Sequence, residues 1–373
     1  MRDCDRLTRP VRIAFSPDGF SVQYGGVSRY FSELIPQVAS MDGFEVSVLM
    51  GLSPNRYGLQ QMRSQVASFR YVRFPFNRGM RYVSLLNEFW FQSYLNMRSE
   101  QIDVVHMTNF PRRMPTPRAP LTTTVYDMIP ERFPDLFSRS PLSTRKRACV
   151  ERCSRIIAIS ESTKRDLIQF YNVDPLLVDV TPLGNSLHAE PGDDPVGRPY
   201  VLFVGVRGGY KNFDRFARVW AEMRSIRDSF LIVCFGGGRF SESEQRIISA
   251  LGLNHTLVWM GGSDFLLASL YAHAQALIYP SLYEGFGLPP LEAMYYGCPV
   301  VCSNSSSLPE VVGDVAVTVD TADPGALANG IAAVIGDSAL RNRLALAGRA
   351  REACFTWDRT AAATVESYRR LLS

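Results

Sequence analysis

Residues 276–292 read ALIYPSLYEGFGLPPLE, and the order of their parts decides the fold: an apolar run, a turn, two glycines, then two prolines. The run ending at Pro280 predicts a buried strand, and 284–292 predicts a loop turning directly into a helix near 287–296. Gly285 and Gly287 permit close backbone approach, while Pro289 and Pro290 suit a first helical turn, where missing N–H groups cost little. A helix N-terminus at that point offers amides and a positive dipole end to an anion such as a diphosphate. Glu284 falls on the loop and Glu292 about a turn inside the helix, so the two cannot share one helical face. Either they bracket a ligand along its length, or Glu284 caps the helix and Glu292 faces solvent.

The same strand-then-helix order continues on both sides. YVLFVG (200–205), FLIVCFG (230–236), LVWMG (257–261) and PVVCS (299–303) read as strands, separated by helical stretches near 212–226, 241–251 and 264–273. Upstream, VRIAF (11–15), FEVSVLM (44–50), DVVHM (103–107), LTTTVY (121–126) and RIIAIS (155–160) repeat the pattern. Val27, Tyr30, Phe31, Leu34, Ile35 and Val38 form one apolar stripe of a helix at 27–38. A second helix, 161–171, starts at the Ser160 cap signal and turns Leu167, Ile168 and Tyr171 inward. Between the halves, GNSLHAEPGDDPVGRP (184–199) carries no apolar period and reads as a linker. The expectation is an α/β protein of two doubly wound Rossmann-like domains facing across a cleft, with ligands beyond the carboxyl ends of the strands. Its parts are a first Rossmann-like domain at 1–185, a linker at 186–199, a second Rossmann-like domain at 200–356, and a helix at 357–373 packing back across the junction.

Composition agrees with two domains: 373 residues, 46% hydrophobic and 20% charged, are enough for more than one core. No apolar run approaches the roughly 20 residues that span a bilayer, and the opening MRDCDRLTRPVRIAF is charged, so neither an integral membrane nor an exported protein is expected. Seven cysteines form an odd set, and the closest pairs, Cys149/Cys153 and Cys298/Cys302, lack nearby zinc partners. They read as buried free thiols in a reducing cytoplasm. The net charge of +4 divides unevenly: residues 1–185 hold 24 Lys and Arg against 17 Asp and Glu, and the remainder hold 16 against 19.

Two more glycine turns stand after strands. In FVGVRGGYKNF (203–213) Arg207 and Lys211 project from the turn, a fork and a point charge suited to phosphate oxygens, or a merely solvated turn. Lys211 is the only lysine after residue 185, the others being Lys146 and Lys164. Gly25 and Gly26 open the helix at 27, where a first βα loop can admit a phosphate. No GxGxxG or GxxxxGK[ST] occurs, which counts against a dinucleotide-dependent oxidoreductase and a P-loop.

EGFGLPPLEAM (284–294) followed by SNSSSLPEVVGD (303–314) resembles the donor-binding half of the family 4 retaining glycosyltransferases, which have the GT-B fold. The resemblance covers nearly the whole chain and is strongest over 200–320. It implies that Glu292 bonds the nucleotide ribose, that Glu284 faces the sugar, and that amides of Gly285, Phe286, Gly287 and Leu288 meet sugar hydroxyls and diphosphate. Arg207 and Lys211 would clamp the diphosphate and, with Glu284, form the catalytic set; Gly25 and Gly26 would reach the same phosphates. Two departures stand out. Arg207 is one place later than the family's arginine, and Tyr126-Asp127 replaces a His-Asp pair whose His contacts the donor's 6-hydroxyl. That Tyr raises a 6-deoxy donor beside mannose. His106 and Asn109, at the end of the DVVHM strand, complete the sugar-side candidates, with a structural His the other reading. The resemblance implies a hexosyltransferase without metal or other cofactor, using a nucleoside-diphosphate sugar such as GDP-mannose in surface polysaccharide synthesis. A non-hydrolysing sugar-nucleotide epimerase and a non-catalytic glycan- or nucleotide-binding protein are the alternatives. Asp3-Cys4-Asp5 precedes the first strand and is not expected to hold a metal.

Residues 46–87 contain no Asp or Glu and six arginines, Arg56, Arg63, Arg70, Arg73, Arg78 and Arg81, interleaved with aromatics. They suit an anionic membrane surface carrying a polyprenyl-diphosphate-linked acceptor, or a solvated loop, rather than nucleic acid. The expected location is the cytoplasm, peripherally on the inner face of the cell membrane.

Overall fold

A computed structural model describes residues 9–21, 25–54, 66–73 and 80–373. Asp3, Asp5, Arg56, Arg63 and Arg78 lie outside the described residues, as do the side chains of Arg73 and Arg81. Two compact units emerge, Met1–Gly184 with Trp357–Ser373, and Asn185–Thr356.

The first unit is built on a seven-stranded parallel sheet: β1 (Val11–Phe15), β2 (Phe44–Ser53), β3 (Ser68–Arg73), β4 (Val104–Met107), β5 (Leu121–Val125), β6 (Arg155–Ala158) and β7 (Val178–Val180). Its order, β3-β2-β1-β4-β5-β6-β7, reverses between β1 and β4, which is the topological switch point of a doubly wound sheet. The helices that frame it include α1 (Gly26–Ala39), α2 (Met80–Met97), α3 (Leu142–Arg152) and α4 (Glu161–Tyr171). Tyr30, Phe31, Leu34, Ile35 and Val38 of the α1 stripe are all buried, and Val27 is half-buried. Ser160 caps α4, its hydroxyl accepting from the Thr163 amide at 3.0 Å. Leu167 and Tyr171 are buried there, whereas Ile168 is half-buried.

Hydroxyls tie down the loop after β1. The Ser16 hydroxyl accepts from the Thr108 amide at 3.0 Å, the Thr108 hydroxyl accepts from the Gly19 amide at 2.8 Å, and Ser28 donates to the Gly19 carbonyl at 2.6 Å. A Cβ at Gly19 would stand 2.9 Å from that of Thr108, so the approach requires glycine.

The second unit has a six-stranded parallel sheet in the order β10-β9-β8-β11-β12-β13: β8 (Tyr200–Val204), β9 (Leu231–Phe235), β10 (Leu257–Met260), β11 (Ala276–Tyr279), β12 (Val300–Ser303) and β13 (Val317–Val319). Its helices include α5 (Phe213–Glu222), α6 (Asp264–His273) and α7 (Leu288–Tyr295). Phe203, Phe213, Phe216 and Trp220 form a chain of ring contacts in its core. Full burial of side chains of this size stabilises the fold by about 1.5–3 kcal/mol each. The stretch read as a linker lies against this unit: the Tyr296 hydroxyl donates toward the carbonyls of Leu187 and Ala189, and the Gly192 amide donates to Ser269.

The last helix, α8 (Trp357–Leu372), belongs to the first unit and contributes Trp357 against Tyr30 and Tyr368 against His106. Cys149, Cys153, Cys234, Cys298 and Cys302 are buried free thiols, while Cys354 is exposed. Among the described residues no helix is long and apolar enough to cross a membrane.

Candidate active site

In the second unit, β11 delivers the chain to the glycine loop and α7 carries it away. Gly287 adopts φ 128°, and a Cβ there would meet the Leu308 side chain at 2.9 Å, so the turn into α7 is reserved for glycine. No side chain caps this helix. The segment after β12 holds the loop in shape instead. Ser306, at φ 57°, accepts the Glu284 amide at 2.9 Å, and the Ser307 hydroxyl lies 2.9 and 2.6 Å from the carbonyls of Glu284 and Phe286. Phe286 itself is buried with its ring edge-on to Phe355, so its side chain serves packing.

Lys211 reaches this loop from the turn after β8. Its Nζ donates to Glu284 Oε1 at 2.6 Å and to the Tyr279 hydroxyl at 2.9 Å, with 12% and 10% of the Lys and Glu side chains exposed. Asn212, at φ 58°, sets that turn, its amide donating to the Pro280 carbonyl at 3.2 Å. Burial first, and the nearby Glu284 charge next, push the Tyr279 phenol well above its usual range, so it stays neutral. Glu292 is buried rather than solvent-exposed, and the Tyr271 hydroxyl donates to its Oε2 at 3.0 Å. Thus Lys211, Glu284 and the loop's start come together, with Glu292 about a turn along α7. Tyr279, Asn212, Ser306 and Ser307 were not singled out by the sequence; Tyr279 ends β11, Asn212 immediately precedes α5, and Ser306 and Ser307 close the SNSSS run that starts with the last residue of β12.

Arg207 departs from expectation. Its side chain is 2% exposed and turned away from Lys211: Nε donates to Glu244 at 2.6 Å, and the terminal nitrogens donate to the carbonyls of Gly236 and Gly238 at 3.1 and 2.8 Å. A guanidinium so occupied braces the glycine loop after β9 instead of presenting its fork to a diphosphate. Arg207→Ala should therefore lower stability by about 2 kcal/mol, read as a lower urea midpoint, because Glu244 and the carbonyls of Gly236, Gly238 and Arg239 lose a charged donor.

The first unit corrects other expectations. His106 is fully buried; its Nδ1 lies 2.6 Å from the Tyr368 hydroxyl and its Nε2 2.9 Å from that of Thr124. Burial lowers its pKa to about 3, so the ring is a neutral core group and not a sugar-side contact. Tyr126 donates to the Thr108 carbonyl at 3.0 Å and packs edge-on against Tyr30 and Phe31. Asp127 accepts the Ile129 amide at 3.0 Å, and its carbonyl receives Lys146 Nζ at 2.8 Å. Both are half-buried at the end of β5 and engaged within their own unit. Asn109 accepts the Phe110 amide at 2.9 Å and lines a cavity beyond β4. Gly25 precedes α1 in an extended conformation without a side-chain cap, and a Cβ on Gly26 would meet nothing within 4 Å. Among the described residues no cluster of three His, Cys, Asp or Glu side chains could hold a metal.

A doubly wound unit whose glycine-gated helix terminus brings a lysine and a carboxylate together is the class of fold and site that the chain presents. Comparison with known proteins gives that class its family. Residues 24–187 match the model of Glycosyltransferase Family 4, and residues 188–351 match Glycosyl transferases group 1. The chain is 31% identical over 208 residues to the O-antigen chain mannosyltransferase RfbU of Salmonella typhimurium strain LT2, covering 54% of this chain and 57% of that protein. It is 45% identical over 105 residues to O-antigen chain mannosyltransferase B of Escherichia coli, 28% of each. The match thus spans between about a quarter and three-fifths of the length of these curated relatives. Among solved structures, sucrose-phosphate synthase from Thermosynechococcus elongatus aligns with a TM-score of 0.74 at 20% identity, over 97% of this chain and 99% of that one. WaaG, a glycosyltransferase involved in lipopolysaccharide biosynthesis, aligns at 0.70 and 19%, over 95% and 99%. At such identities the likeness is one of fold. The chain belongs to the GT-B glycosyltransferase family and is related to bacterial O-antigen mannosyltransferase-like enzymes.

Proposed function

We propose that the protein is a retaining, metal-independent hexosyltransferase that moves mannose from a nucleoside-diphosphate sugar to a glycan or polyprenyl-diphosphate-linked acceptor. The observation that carries this reading is the meeting of Lys211 with Glu284 at the loop leading into α7. In this reading the donor's diphosphate lies at the start of α7 and takes Lys211 as its cation. Charge developing on the leaving diphosphate is then met by an ammonium and loop amides already in place. Glu284, freed from the lysine, accepts hydroxyls of the sugar, and Glu292 with Tyr271 holds the ribose. Front-face attack, with the leaving diphosphate as base, retains the anomeric configuration. The names of the curated relatives favour mannose over a 6-deoxyhexose.

Peripheral association with the inner leaflet is supported by α2. Tyr82, Leu86, Phe89, Trp90 and Met97 are exposed along it, and Arg70, Arg112 and Arg113 are exposed nearby in the same unit. Aromatic rings beside arginines suit an anionic lipid surface.

The test is a binding screen of GDP, UDP, ADP and TDP, followed by turnover of the matching sugars with the anomeric product read by NMR. Nucleotide release that requires an acceptor, retention of configuration and indifference to chelator are expected. Acceptor-independent release, an inverted product or strict dependence on added metal would each refute the reading.

A further inference from the structure

Helix α2 has two apolar faces where a helix lying on a sheet needs one. Val83, Phe91 and Leu95 turn inward, and Asn87 among them holds the helix to β2, accepting the Leu52 amide at 3.0 Å and donating to the Leu52 carbonyl at 2.8 Å. On the other side Tyr82, Leu86, Phe89, Trp90, Ser93 and Met97 fall within about 100° of one another round the helix axis. Ser93 is half-buried and the rest are exposed, Met97, Tyr82 and Phe89 by 76, 72 and 67%. Aromatic side chains carry about 150–250 Å² each, so the stripe offers on the order of 600 Å². That is the lower end of what each partner gives to a specific interface, and as large as the patches a soluble monomer ordinarily leaves open.

The stripe reads alike from both ends. Turned end for end about the point midway between Phe89 and Trp90, Tyr82 falls on Met97, Leu86 on Ser93 and Phe89 on Trp90. A two-fold axis through that point therefore lays the helix antiparallel on a copy of itself with every stripe position opposite another stripe position. The two largest side chains meet at the centre, where interface energy concentrates, and a thioether meets a phenol ring at each end. Only Arg81 and Glu88 are charged between Met80 and Met97, and neither falls within the stripe, so self-pairing sets no like charges face to face. Beside the stripe, a groove of about 460 Å³ between α2 and β3, lined by Leu49, Val72, Trp90 and Met97, gives the side chains of a facing helix room to seat.

We propose that, away from a lipid surface, the stripe is covered by α2 of a second copy of this chain, antiparallel about a two-fold axis between Phe89 and Trp90. A leaflet asks only that the exposed side chains be apolar; it gives no reason for positions equidistant from one centre to match. The pairing goes beyond the transferase reading and uses α2 alone. A leaflet would take the same side chains, so the paired and the membrane-bound states exclude each other.

Sedimentation velocity of the full chain without lipid should show a dimer whose share rises with protein concentration, and Phe89→Asp should be monomeric over the same range. Leu86→Lys and Ser93→Glu should each weaken pairing about tenfold or more. The double variant, in which each Lys faces a Glu of the other copy, should recover most of that loss. Circular dichroism should show unchanged helix content in all four, since the substituted side chains lie outside the core. A parent chain that stays monomeric at the highest concentration, a dimer indifferent to the three single substitutions, or a double variant no better paired than the single ones would overturn the proposal. Rescue by the double variant, together with binding to phosphatidylglycerol vesicles that Phe89→Asp leaves unchanged, would support the pairing and strike the leaflet reading of α2.

Discussion

Replacing Lys211 with alanine is expected to cut sugar transfer by about 10²–10³-fold, the scale of losing one preorganised electrostatic partner of the transition state. The ammonium sits 2.6 Å from Glu284 and 2.9 Å from the Tyr279 hydroxyl, so it is a positioned charge, not a mobile surface one. The fold should survive, because Glu284 keeps the Tyr279 phenol beside it and both lie at a partly open loop. Lys211→Arg should recover little, since a planar fork cannot replace a point charge held between a phenol and one carboxylate oxygen. Glu284→Gln should also lose activity, and the double variant should lose less than the product of the two single losses, because they share one interaction. Single-turnover rates with saturating donor would measure this. Lys211→Ala retaining more than about a tenth of the rate would leave the assignment without support.

The second large effect concerns another lysine and a different property. Lys146 of α3 is 2% exposed and bonds Glu131, 6% exposed, at 2.8 Å; its Nζ also donates to the Asp127 carbonyl, and the Tyr171 hydroxyl lies against Glu131's other oxygen. Lys146→Met should destabilise the first unit by about 3–5 kcal/mol, because it leaves a buried carboxylate without its cation. Lys146→Met with Glu131→Leu should regain part of that loss, since the stranded charge is then gone. Urea denaturation followed by tryptophan fluorescence would measure both, and a loss under about 1 kcal/mol for the single variant would contradict the argument. Transfer per folded molecule should barely change, which separates Lys146 from Lys211 even though sequence alone makes both rare.

Most of the sheet architecture was legible because parallel strands buried on both faces read as unbroken apolar runs, as in VRIAF and ALIYP. The three-residue edge strands β7 and β13 are too short to leave such a run. Helix α2 escaped notice for a different reason. It buries Val83, Phe91 and Leu95 while exposing Tyr82, Phe89, Trp90 and Met97, so apolar residues occupy both sides and no single stripe stands out. At the candidate site, the glycines and Lys211 were readable from spacing because backbone approach and a lone ammonium leave a trace in sequence. Arg207 was misread because its partners, Glu244 and the loop at Gly236–Arg239, lie 29 to 37 residues away. For His106 the sequence left a sugar-side and a structural role open, because its partner Tyr368 is 262 residues distant and no local pattern announces such a bond.

That distance bears on how the molecule is made. Tyr368 and Trp357 complete the packing around His106 and Tyr30, yet the second unit, 185–356, separates them from the rest of the first. A ribosome adding about 5–20 residues per second needs roughly 10–35 s to lay down that intervening segment. Through this interval the first unit waits with one flank of its core uncovered, while the second has everything it needs to fold. The half that begins synthesis first therefore finishes folding last, and it is the nascent first unit that a chaperone would shield.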